Sequence, residues 1–172
     1  NLIEKNFIKY SKSKLIKFVS LRLSNIYGYY GNSSQTNRGF LNKLILQIYK
    51  NKKIFIYGSG NNLRSYVYID DLIRAIKITI KKINKLNGKV FIICGNRSHS
   101  FMDLIKIVSN SLGRNVLYAK KRYPKNINII EKRSFVGNNK LFKKYTNWQP
   151  KVNLVSGINK IVWLLKKNEY NN

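Results

Sequence analysis

Acidic side chains are scarce in this chain. Asp and Glu total 6 against 34 Lys and Arg, which leaves a net charge of +28 over 172 residues. So few carboxylates give little material for a paired acid/base site. The two adjacent ones, Asp70 and Asp71, would point in different directions on a helix and read better as helix-start residues. Cysteine is scarcer still: Cys94 stands alone, which excludes a disulfide framework and a cysteine-based zinc site, and no metal site is expected. The one histidine, His99, lies in a loop just before a capping serine. It reads as a surface or capping residue, because a general base needs a partner within hydrogen-bond reach. No apolar run approaches the roughly 20 residues that span a bilayer. No charged-then-apolar leader follows Asn1. The expectation is therefore a cytoplasmic chain with no membrane partner, whose missing initiator suggests a fragment.

What is present is enough to fold. The hydrophobic fraction is 44% and the aromatic fraction 13%, so a real core can be buried and wholesale disorder is excluded. The positive charge first suggests a polyanion, usually nucleic acid. Yet the lysines are spread through every segment on the polar faces of apparent helices, with no arginine-rich tail and no basic array. The chain is also crowded with Lys, Asn, Ile and Tyr, whose codons are A/T-rich. Compositional drift with a modest preference for anionic ligands accounts for the charge, and nucleic acid is the less favoured partner.

Periodicity predicts helices over Leu2–Lys14, Phe40–Tyr49, Asp70–Leu86, Phe101–Leu112, Lys140–Tyr145 and Leu154–Leu165. Asp70 is the expected cap of the third and Ser100 of the fourth, with Gly88 and Gly113 as the left-handed stops. Strands are predicted at Lys17–Leu23, Lys53–Tyr57, Tyr66–Ile69, Lys89–Cys94 and Val116–Ala119. The near-continuous apolar run of Lys89–Cys94 suits a strand covered on both faces, as in a parallel sheet, and makes Cys94 an inert buried thiol. Asn25–Asn37 reads as a loop and Gly58–Asn62 as a turn. Strands alternating with helices give an α/β fold.

Two residues stand out chemically. Arg64 follows the Gly/Asn-rich turn and precedes an extended stretch, a placement that suits bidentate capture of phosphate. Asn25 ends a strand, where open α/β sheets carry their ligands, and offers a donor and an acceptor for sugar hydroxyls. Tyr10 and Lys14 have the spacing at which a lysine could lower a tyrosine's pKa on one helix face. In a chain this rich in both residues, that pattern is weak.

Four blocks in order resemble the C-terminal half of the extended short-chain dehydrogenase/reductase family, the NAD-dependent nucleotide-sugar epimerases and dehydratases. They are LRLSNIYG (21–28), IFIYGSGNNLRSYVYIDDLIRAI (54–76), FIICGNRSHSFMDLIKIVSNSLGR (91–114) and NNKLFKKYTNWQPKVNLVSGI (138–158). Each alone is suggestive, but together they cover nearly the whole chain.

The resemblance implies the last strands of a Rossmann-type parallel sheet (about 1–28 and 72–95) joined to a small mixed α/β substrate lobe (about 29–71 and 96–172). It implies a UDP-glucose 4-epimerase-like function. Asn25 and Arg64 would bind a UDP-, dTDP- or GDP-linked sugar, with Arg64 on the diphosphate. Arg38 and Gly39 would line the cleft, and the Ile54–Tyr57 strand, with Ile56 and Tyr57, would flank the base. Ser24 and Asn25 would face the nicotinamide of NAD. The family's G-x-x-G-x-x-G turn is not in this sequence. The family's catalytic tyrosine and lysine would align before Asn1, with Glu4 at the glutamate that follows them. Tyr10 and Lys14 are then too close to Arg22 to be that pair. A second diphosphate arginine is expected between Arg122 and Arg133, at no definite position. Gly137 stands where the family commonly has Asp, and Asn147 where a Gly precedes the Trp. The partners implied are a nucleotide-sugar, a separate N-terminal Rossmann half and, as a further option, a second copy in a homodimer.

Overall fold

The computed structural model describes residues 2–13, 16–29 and 39–169. Its elements run α1 (Leu2–Lys12), β1 (Val19–Leu23), β2 (Asn25–Tyr27), α2 (Phe40–Tyr49), β3 (Ile54–Tyr57), β4 (Arg64–Tyr68), α3 (Ile69–Lys81), α4 (Ile83–Leu86), β5 (Lys89–Ile93), β6 (Ser98–His99), α5 (Phe101–Leu112), β7 (Tyr118–Lys121), a 3₁₀ turn (Ile129–Lys132), α6 (Lys140–Thr146) and α7 (Leu154–Glu169). Three strand pairs are parallel: β1 with β5, β2 with β4, and β3 with β7. Only the short β4–β6 pair is antiparallel, setting Arg64 opposite His99. Parallel neighbours joined by helices are the α/β arrangement the alternating pattern implied.

β1 and β2 are one stretch of chain interrupted at Ser24, whose amide still donates to the Ile93 carbonyl at 3.0 Å. Past that residue the chain leaves β5 and pairs with β4, so Asn25 stands in register with Tyr66. The expected loop from Asn25 therefore starts as a strand. The Asn-rich composition pointed away from it, but a neighbouring strand supplies the ladder that the local sequence does not promise.

Two apolar clusters hold the elements. One gathers α2, α5 and α7 against Tyr27, Tyr66 and Tyr68, with Leu41, Ile45, Leu104 and Ile158 buried. The other packs Phe91 and Ile93 of β5 against Leu72, Ala75, Phe142 and Trp148. Phe142 lies edge-on to Trp148 at 5.5 Å and to Phe91 at 5.2 Å, the edge-to-face geometry aromatic quadrupoles favour.

Helix ends follow their caps. Ser100 Oγ accepts from the Asp103 amide while the Asp103 carboxylate accepts from the Ser100 amide, and Gly113 at φ 64° closes α5. The Ser100 amide and the Ser100 hydroxyl, at 2.8 Å, both donate to the Asp103 carboxylate and hold it below its usual range, against the opposing effect of burial. At α3 the expectation fails: the cap is Tyr68, and Asp70 lies within the first turn, paired with Lys160 at 2.9 Å. The predicted long helix also breaks at Lys82 into α3 and α4.

Asp71, by contrast, is buried and tightly held. Its carboxylate accepts from the Lys151 amide at 3.1 Å, from the Val152 amide at 2.9 Å and from the Arg74 guanidinium. Its carbonyl accepts from Trp148 Nε1 at 3.2 Å. One carboxylate thereby fastens the start of α3 to the segment between α6 and α7. Glu4 has a similar role on α1, accepting from Ser20 Oγ at 2.5 Å and from both Arg22 Nε and Nη2. The Arg22 and Ser20 hydrogen bonds hold its carboxyl below the ordinary value.

Candidate functional site

A cavity of about 700 Å³ opens beside the start of β2, just past the carboxyl end of β1, and the start of β4. That volume is within the range of small-molecule sites. Asn25 and Arg64, singled out separately in the sequence, both line it. Strand pairing explains why: β2 and β4 are neighbours, and Asn25 Nδ2 donates to the Ser65 carbonyl at 3.2 Å, close to Arg64. The Arg64 guanidinium donates to the Arg133 carbonyl and, at 3.2 Å, to the Ile130 carbonyl. The 3₁₀ turn thus fixes the direction of the side chain on the cavity wall.

β3 forms the opposite boundary. Its alternating burial turns Phe55 and Tyr57 outward to the cavity and Ile56 inward. Ile56 is fully buried in the core, so its side chain does not reach the cavity; strand alternation, not composition, decides this. Gly39 adopts φ 79° as the residue before α2, and it is Phe40 next to it that lines the cavity. Arg38 lies outside the described residues, as does Lys14. Tyr10 is exposed on α1.

Among the described residues the remaining cavity cations are Lys43 and Lys53, and no carboxylate lines the site. Lys43 and Gln47 stand four apart on the polar side of α2, so one helical turn presents both. That spacing was readable in the sequence; the destination of the face was not. Tyr123 also lines the cavity, whereas Arg122 and Arg133 do not. Tyr66 forms part of the wall, and burial pushes its hydroxyl up to about 12, so it stays protonated at neutral pH. Among the described residues no group of His, Cys, Asp and Glu could hold a metal ion.

At the kink between β1 and β2, Ser24 is buried and its Oγ is the buried side-chain oxygen without a hydrogen-bond partner among the described residues. An enclosed hydroxyl of this kind favours a ligand group that completes its bonding. Gly137, where the resembling family has Asp, donates its amide to Ser65 Oγ at 2.8 Å. A Cβ at Gly137 would come within 2.9 Å of the Cys94 Cβ, so this chain has no room for the larger residue without a shift. Cys94 itself is buried, and burial raises its thiol pKa, which suits an inert role. His99 is neither a cap nor fully on the surface: it is half-buried in β6, clear of this cavity.

Residues 2–94 match the model of the NAD dependent epimerase/dehydratase family. The chain belongs to that family. A putative UDP-glucose 4-epimerase of Methanocaldococcus jannaschii is 27% identical over 172 residues, covering 96% of this chain and 52% of its own length. A UDP-glucuronate 4-epimerase of Thermodesulfobacterium geofontis is 27% identical, covering 86% of this chain and 43% of its own length. Among solved structures, the UDP-glucose 4-epimerase of Thermotoga maritima with UDP-glucose superposes with a TM-score of 0.83 at 23% identity, over 96% of this chain and 51% of that one. The UDP-glucuronic acid 4-epimerase of Bacillus cereus, in complex with UDP-glucuronic acid and NAD, gives 0.76 at 23% identity, over 94% and 50%. This NAD-dependent epimerase/dehydratase chain thus has the family's Rossmann-type α/β fold and spans about half the length of the relatives it matches. No helix among the described residues is long and apolar enough to cross a membrane.

Proposed function

We propose that this chain is the nucleotide-sugar-binding portion of a cytoplasmic, UDP-glucose 4-epimerase-like enzyme. In this reading residues about 1–28 and 72–95 complete a Rossmann sheet supplied elsewhere, and the rest forms the substrate lobe. The observation that carries the reading is the wall shared by Asn25 and Arg64, with three cations and no carboxylate among the described residues that line the same cavity. Arg64, Lys43 and Lys53 neutralise the diphosphate, Arg64 through charge-assisted hydrogen bonds. Phe55 and Tyr57 offer aromatic faces to the base, while the Ile56 side chain stays in the core. Asn25 hydrogen-bonds the sugar end. Arg38 and Gly39 keep the cleft-lining role that the resemblance implies, Arg38 outside the described residues and Gly39 next to Phe40 of the cavity wall.

NAD, when bound, supplies reversible hydride chemistry. Ser24 and Asn25 are the residues here that fit its nicotinamide end, Ser24 through its unpaired buried hydroxyl. The glycine-rich pyrophosphate turn is not in this sequence, so in this reading the cofactor turn and the proton-transfer groups are supplied from outside these 172 residues, which alone bind without turning over.

Calorimetry with UDP and UDP-glucose at physiological ionic strength tests this. Saturable binding is expected, weakened about tenfold or more by Arg64→Ala. No binding, or equal binding by the variant, would refute the nucleotide-sugar reading. Conversion of UDP-galactose by the purified chain with added NAD would refute the expected inactivity. An oligonucleotide that binds more tightly than UDP at the same salt would favour the nucleic-acid alternative.

A further inference from the structure

A second cavity, of about 590 Å³, has no part in the function proposed above. It lies between the loop after β5, strand β6 and the first turns of α7, with Tyr27 and Tyr66 in its wall. Its polar lining is built from Asn96, Arg97, His99, Asn153, Ser156 and Asn159, again with no carboxylate. Asn153 is occupied: its Oδ1 accepts from the Ser156 amide at 2.9 Å, and its carbonyl accepts from Ser156 Oγ at 3.0 Å. The side chains of Asn96, Arg97, His99 and Asn159 make no hydrogen bond or ion pair within the described residues.

Most cations of a chain with 34 Lys and Arg and 6 Asp and Glu must lack a carboxylate partner, so what distinguishes Arg97 is its placement on a cavity wall beside the half-buried His99 and two amide side chains. Arg97 cannot shed its charge, and it presents a planar set of donors shaped for an oxyanion. His99, half-buried beside it, has its pKa lowered by burial and by Arg97, with Asp103 opposing. The neutral imidazole keeps one N–H donor, from which an arriving anion can accept alongside the Arg97 guanidinium. The unpaired Asn96 and Asn159 amides each offer donors and an acceptor, which suits hydroxyl groups. The volume exceeds what an inorganic ion needs and fits a small metabolite.

We propose that this cavity binds a small polyhydroxylated oxyanion, its phosphate ester or carboxylate held by Arg97 and His99 and its hydroxyls by Asn96 and Asn159. The site is independent of the nucleotide-sugar reading, because it shares neither Arg64 nor Asn25.

The chain has one histidine, so the His99 imidazole signals in NMR need no assignment. Glucose 6-phosphate and gluconate are titrated into the full chain at fixed pH and ionic strength, with sodium chloride as the control. A saturable shift from either compound is expected, and the stronger of the two identifies the oxyanion source. Arg97→Gln should weaken that binding about tenfold or more, while Arg64→Ala leaves it within about twofold. A shift that chloride reproduces, a shift that never saturates, or Arg97→Gln binding like the parent would each overturn the proposal.

Discussion

Arg64 and Asp71 stand at opposite ends of one continuous segment, the β4 strand and the first turn of α3, and the chain treats them in opposite ways. Asp71 is enclosed, with two backbone amides and a guanidinium on its carboxylate and an indole on its carbonyl. Arg64 keeps its position on the wall of an open cavity, leaning on two carbonyls of an exposed turn. An enclosed charge with every bond satisfied is a fastener: removing it strands its partners. A guanidinium on a cavity wall, aimed in part by backbone carbonyls, is placed to attract an incoming anion. The difference separates a charged residue that serves the fold from one that, on the function proposed above, serves a ligand.

The largest effect that would sharpen this contrast is Asp71→Ala. It should lower the unfolding free energy by about 3–5 kcal/mol, because the Lys151 and Val152 amides and the Arg74 guanidinium lose a buried acceptor together. Urea denaturation measures it, and a loss below about 1 kcal/mol would break the comparison.

A smaller effect should appear with acid. Glu4 and Asp103 both have folded-state pKa values below their ordinary 4.5 and 3.8. The unfolded chain therefore binds more protons in that window, so their stabilisation is full above the ordinary values and is lost as pH falls through the lowered ones. The urea midpoint should hold steady at mildly acidic pH, then fall. Glu4→Gln should make the fall shallower, and an unchanged acid slope would remove Glu4 from the account.

The smallest effect on stability belongs to Arg64→Ala, within about 0.5 kcal/mol of the parent by the same urea assay. A larger loss would place Arg64 among the fasteners and erase the distinction.

Much of the fold was legible in the sequence because its signals are local. The periodicity of Phe40–Tyr49 and the Ser100 cap with its Gly113 stop specify α2 and α5 to the residue. Asn25–Tyr27 was not legible as a strand, because its pairing comes from β4, far along the chain. Nor did two adjacent aspartates reveal which one would be enclosed; the chain between α6 and α7 makes that choice. For the site, Asn25 and Arg64 were visible as a strand end and a turn exit. Lys43 and Lys53 were lost in a lysine-rich composition, since nothing local separates a cavity cation from a solvated one. Which side chains of the Ile54–Tyr57 strand face the cavity is not legible locally, because a short strand's phase is set by the core it meets, which here buries Ile56.

One further consequence follows from the place of Tyr66. One residue, almost wholly enclosed, lines both of the cavities described above. A change in how Tyr66 sits to admit a guest in one is then a change in the wall of the other. By thermodynamic reciprocity any such influence must run equally in both directions. A wall residue held in common makes two pockets that chemistry keeps separate into compartments that geometry joins.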